Sequence, residues 1–96
     1  MIGPAEAATM LARLEAVAEK LGVRVRYEPL AAEDETVSIR GGLCRLRGDR
    51  MILVDSRLAP AERCLCLAEA LGGFDLRGVF LPPAVRALIE ERRGES

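Results

Sequence analysis

Met51 to Leu76 reads MILVDSRLAPAERCLCLAEALGGFDL, and its two halves follow different periodicities. Met51-Ile52-Leu53-Val54 lacks polar alternation, the pattern of a strand that lies inside a sheet with both faces covered or nearly so. Beyond Leu58, Pro60 suits the first turn of a helix and Glu62 suits the positive end of its dipole. Cys64, Leu67, Ala68 and Leu71 then recur at the spacing of one buried helical face, and Gly72-Gly73 ends the run. A central strand feeding a helix laid across it is therefore expected.

Upstream, Ala7, Leu11, Leu14, Ala18 and Leu21 keep a helical period from Pro4 to Leu21, with Gly22 at the C-terminal stop. Val23, Val25 and Tyr27 alternate with Arg24, Arg26 and Glu28, a strand with one buried and one wet face that Pro29 stops. After the acidic loop Ala31 to Glu35, Thr36 to Arg40 alternates again through Val37 and Ile39. Gly41-Gly42 marks a bend before Leu43 to Arg47, where Cys44 and Leu46 are expected to face the core and Arg45 and Arg47 to face away. Gly48-Asp49 reads as a hairpin turn into the central strand.

Downstream, Leu76, Val79, Phe80 and Leu81 give the connection Phe74 to Pro82 enough apolar weight to pack, and Pro83 opens a last helix with Val85, Leu88 and Ile89 inward. The expected fold is α+β in the order α-β-β-β-β-α-α. A small sheet of three to four mainly antiparallel strands packs against the N-terminal helix and two C-terminal helices, as one domain over residues 1–96.

Composition narrows the chemistry. The chain of 96 residues has a net charge of −1 and no histidine. No run approaches the 18 or so apolar residues of a membrane helix. The start of the chain lacks a signal-peptide pattern, and three cysteines are an odd number for a disulfide framework, so a cytoplasmic protein with reduced thiols is expected. Lys20 is the sole lysine among 14 basic residues, the arginine bias of a GC-rich bacterial coding sequence. Ser38, Ser56 and Ser96 have no imidazole to activate them, and no glycine-rich phosphate loop is present. Cys64 and Cys66 look like a Cys-x-Cys motif. Two positions on a helix are, however, about 200° apart, so Cys64 should enter the core and Cys66 should lie nearer the surface.

The strand MILVD leading to LAEALGG, within a helix-strands-helix-helix order, resembles the minimal zincin fold of ImmA/IrrE-type metallopeptidases over roughly Arg40 to Phe74. In that family the helix carries Leu-Ala-His-Glu-Leu-Gly-His. Two histidines four apart share a helical face and chelate one zinc ion, while the glutamate polarises its water. Position by position, Ala68 and Gly72 stand where the resemblance implies the two histidines, and Glu69 stands where it implies the general base. A third, acidic ligand would fall at Glu90 or Glu91. The resemblance thus implies a metal-free relative without cofactor, in which Glu69 is the weak catalytic candidate. The competing reading pairs Glu69 with Arg63 or Arg77, or with water.

Two other function classes stay open. Arg40, Arg45, Arg47 and Arg50 against Asp49 give Thr36 to Arg50 a net charge of +3, and with Arg24 and Arg26 they could gather on the outer sheet face to hold anions or nucleic acid. The near-neutral chain, its pI near 5.5 and its three aromatic residues, Tyr27, Phe74 and Phe80, argue against nucleic acid. A carboxylate enzyme using Glu69 and Asp55 with a divalent ion is the other. The leading expectation is a non-catalytic zincin-like binding or regulatory module. Its partner would be another protein or a second copy, with Phe74, Val79, Phe80 and Leu81 supplying apolar surface.

Overall fold

The computed structural model describes residues 3–29, 41–46 and 49–94, and for residues 41–46 and 49 it describes the backbone. Helix α1 (Pro4–Lys20) is followed by strands β1 (Arg24–Glu28), β2 (Gly41–Leu46) and β3 (Asp49–Asp55), then by helices α2 (Pro60–Leu71) and α3 (Pro83–Gly94). The class is α+β.

The sheet is mixed, in the order β1-β3-β2, and this corrects the mainly antiparallel expectation. β2 pairs antiparallel with β3 from Gly41↔Val54 to Leu46↔Asp49, while β1 pairs parallel with β3 from Arg24↔Met51 to Glu28↔Asp55. The physical reason is the length of the β1–β2 connection. A tight turn would force a hairpin, but the long stretch after Pro29 lets β2 start beyond β3, which then takes the centre with its uninterrupted apolar run. Asp49, read as a turn residue, is already paired in β3. The expected strand Thr36 to Arg40 lies outside the described residues.

Local chemistry accounts for the helix ends. α1 closes in a Schellman arrangement: Gly22 adopts φ +73°, its N–H donates to the Glu19 carbonyl at 3.0 Å, and the Val23 N–H donates to Ala18 at 2.9 Å. At the start of α2, Glu62 accepts from the Ala59 N–H at 3.1 Å, one half of a capping box, since Ala59 has no side-chain oxygen for the other half.

The helices cover one face of the sheet. Ile52 and Val54 of β3 join Leu14 and Val17 of α1, Leu67 and Leu71 of α2, and Val85 and Ile89 of α3 in one core without a buried charged side chain among the described residues. Cys64 is fully buried there and donates its thiol to the Ala7 carbonyl at 3.3 Å, while Cys66 lies partly exposed, as the helical geometry requires. On the other sheet face lie Met51, only 6% exposed, Leu53 and the charged residues of β1. Phe74 and Leu81 turn into the core, so the apolar surface expected around them contracts to Phe80, which is 71% exposed.

Candidate functional site

The segment that carries the zincin resemblance ends at a seam between α2 and α3. Ala68 is 0% exposed and belongs to the core, so the first would-be histidine position faces packed side chains. Glu69, one residue on, turns outward and is 61% exposed. Its Oε2 accepts from Arg92 Nη2 of α3 at 2.9 Å. Neither Arg63 nor Arg77 is its partner, which corrects the sequence expectation. Arg77 is held at 3.0 Å by Asp75, whose carboxyl it keeps below the usual range.

The second would-be histidine position is closed by the same helix. A β-carbon placed on Gly72 would meet Arg93 Cγ at 3.2 Å. Arg93 donates from Nε to the Gly72 carbonyl at 2.8 Å and from Nη2 to the Phe74 carbonyl at 3.1 Å. The last carbonyls of a helix lack intrahelical partners and carry the negative end of its dipole, so a guanidinium is well matched to them. α3 thus caps the end of α2 from outside, at Gly72.

Of the four arginines expected to form a basic face, Arg40, Arg45 and Arg47 lie outside the residues whose side chains are described. β2 register places Arg45 opposite Arg50 and Cys44 opposite Met51. Arg50 is drawn to the helices: its Nη2 donates to the Leu21 carbonyl at the end of α1 at 3.0 Å, and its guanidinium lies 5.1 Å from the centre of the Phe74 ring. On the outer face, Arg26 pairs with Glu28. Arg63 has a related carbonyl-binding role. It donates to the carbonyls of Ser56 and, at 3.0 Å, of Leu58, tying the β3–α2 connection to the helix, and it sits 5.5 Å from the Tyr27 ring centre.

Tyr27 is the polar anchor of β1. Its hydroxyl donates to the Glu15 carboxylate of α1, and its pKa is raised, first by burial and then by that bond. Burial also raises the Cys64 thiol, leaving it protonated and inert toward nucleophilic chemistry. Asp55 is occupied by Arg57, which donates its backbone N–H at 3.0 Å and its guanidinium at 3.1 Å. Among the described residues, no three cysteine, aspartate or glutamate side chains gather as a metal site would need. No helix among them is long and apolar enough to cross a membrane.

Two concavities flank these groups. A groove of about 310 Å³ follows the connection after α2, with Leu76, Arg86, Ile89 and Glu90 in its walls. A larger one, about 800 Å³, runs along β1 beneath Glu15 and Glu19 of α1. Sequence reasoning missed this second groove, because it arises from β1 standing at the edge of the sheet. No family model matches the chain, and no curated protein or solved structure matches it either.

Proposed function

We propose that this chain is a non-catalytic, zincin-like module of the cytoplasm that works by binding a protein partner. The observation that carries the reading is α2 lying across β3. Cys64, Leu67, Ala68 and Leu71 share one core with Ile52 and Val54, the strand-to-helix layout from which the resemblance was drawn. A helix at that place in a peptidase would present two imidazoles and a glutamate to a metal-bound water. Here Ala68 contributes packing, Gly72 admits the Arg93 side chain, and Glu69 binds a guanidinium. What supports loss of peptidase chemistry is thus a set of replacements that each do structural work at the α2–α3 seam. The cytoplasmic part of the proposal rests on the odd number of cysteines, three, which suits reduced thiols better than a disulfide framework.

The test uses the full chain incubated with excess zinc or manganese, desalted, and analysed for metal content and for hydrolysis of an unstructured peptide. The expected result is no stoichiometric metal and no cleavage. One ion per chain, together with cleavage that disappears in Glu69→Gln, would overturn the proposal.

A further inference from the structure

β1 is an edge strand, and among the described residues no strand lies beyond it. The direction of its free hydrogen-bonding groups follows from one bond. The Ser56 N–H donates to the Glu28 carbonyl at 3.0 Å, so Glu28 turns its backbone toward β3. Backbone groups alternate sides along a strand, so Arg24 and Arg26 do the same, and Val25 and Tyr27 direct their N–H and C=O groups to the open edge. The next residues on that side cannot extend the row. The Val23 N–H is already bound to Ala18 at 2.9 Å, and Pro29 has no N–H. Among the described residues the edge therefore offers two N–H donors, those of Val25 and Tyr27, each with its own carbonyl acceptor beside it.

We infer that this edge is a self-complementary docking surface whose occupant is β1 of a second copy, paired antiparallel about a two-fold axis through Arg26. This goes beyond the zincin-like reading, since β1 stands at the opposite side of β3 from β2 and takes no part in the α2–α3 seam. With the axis at Arg26, Val25 faces Tyr27 of the second copy and Tyr27 faces its Val25. Each pair exchanges two backbone bonds, so the N–H and C=O groups of Val25 and Tyr27 are satisfied in both copies. Moving the axis to Tyr27 would set Val25 opposite Pro29 and leave the Val25 carbonyl unmet. Moving it to Val25 would set Tyr27 opposite Val23, whose N–H is already bound to Ala18, and would oppose Arg24 to Arg26 twice with no acidic residue paired in return.

Charge is compatible with this register, although the alternative centred on Tyr27, with Arg26 opposite Glu28 twice, is disfavoured by its unmet Val25 carbonyl and not by charge. Centred on Arg26, the pairing sets Arg24 opposite Glu28 twice, on the exposed face of the sheet. The two Arg26 side chains meet at the axis, and each already has its own Glu28 as a counter-ion. The groove beside β1, bounded by Glu15, Glu19, Gly22 and Val23, leaves the incoming strand room beneath α1. The product is a continuous six-stranded sheet with an isologous interface, the commonest symmetry of small oligomers.

Sedimentation equilibrium of the full chain across a wide concentration range tests the inference. A reversible monomer–dimer equilibrium is expected. Arg24→Glu places like charges opposite each other twice and should raise the dissociation constant at least tenfold, whereas the exchange Arg24→Glu with Glu28→Arg restores opposite pairs and should return it to within about threefold of the parent. Both positions are solvent-accessible, so far-UV circular dichroism should match across the three proteins. A parent chain that stays monomeric to the highest concentration, a dimer indifferent to Arg24→Glu, or a double variant that fails to recover would each overturn the inference.

Discussion

The α2–α3 seam and the β1 edge are opposites in how they treat the backbone. At the seam, carbonyls left over at the end of α2 are met by Arg93 of a neighbouring helix, and the one carboxylate of interest is met by Arg92. At the edge, the groups on Val25 and Tyr27 have no strand among the described residues to receive them, and a groove runs along Val23 to Arg26. The region whose sequence suggested chemistry is closed by packing and arginine, and the region that looked like an ordinary amphipathic strand is the open one. The difference places the unmet backbone hydrogen-bonding capacity of the described residues at the sheet edge, and not at the helix that resembles a catalytic motif.

The largest effect expected within this contrast concerns Tyr27, which fastens the otherwise open β1 to α1 through Glu15. Its folded-state pKa lies above the unfolded value of about 10. Below that pH both states keep the proton and the full stability is present. Above it the unfolded chain releases the proton and the folded chain holds it, so stability should fall by about 1.4 kcal/mol per pH unit until the folded group titrates. Urea unfolding from pH 8 to 11 should show this decline in the parent and a flatter profile in Tyr27→Phe. Because Tyr27 is the sole tyrosine, tyrosinate absorbance reports on it alone. Equal slopes in the two proteins would remove the anchor from the comparison.

An effect of similar size is expected at the seam. Arg93→Ala deletes two charge-assisted bonds to carbonyls, partly exposed ones, and should cost about 1–2 kcal/mol in urea unfolding. A cost of only a few tenths would mean that α3 closes the seam by apolar packing alone. The smallest effect is expected from Glu69→Gln. A salt bridge whose carboxylate is 61% exposed contributes less than about 1 kcal/mol, and a loss above about 2 kcal/mol would show that Glu69 is coupled to more than Arg92.

Much of this architecture was legible because it rests on local rules. The uninterrupted Met51–Val54 run does become the central strand, and the face Cys64, Leu67, Ala68, Leu71 does enter the core, since periodicity and burial are linked by the geometry of each element alone. The partner of Glu69 was not legible. Arg63 lies six positions away on the same helix, about 240° around it, so helical geometry rules it out, but nothing local points to Arg92, 23 residues downstream. The contacts of Arg50 were not legible for a related reason: the end of α1 and the Phe74 ring, distant in sequence, lie where its long side chain can reach them. Phe74 and Leu81 read equally well as core or as surface, because an irregular connection has no period to sort its residues.

The sequence by itself determined the kinds and order of the elements that the structure describes, the inward faces of α1 and α2, and the lack of any imidazole where the zincin resemblance would need one. These are properties of periodicity and residue type, and each is settled within a few turns or one strand. Only the tertiary structure decided that β1 runs parallel to β3, that α3 closes the end of α2 through Arg92 and Arg93, and that among the described residues no strand pairs with the outer edge of β1 at Val25 and Tyr27. Strand order and helix docking are set by contacts between residues distant in sequence, where many pairings satisfy the same local pattern and the packing of the whole core selects one.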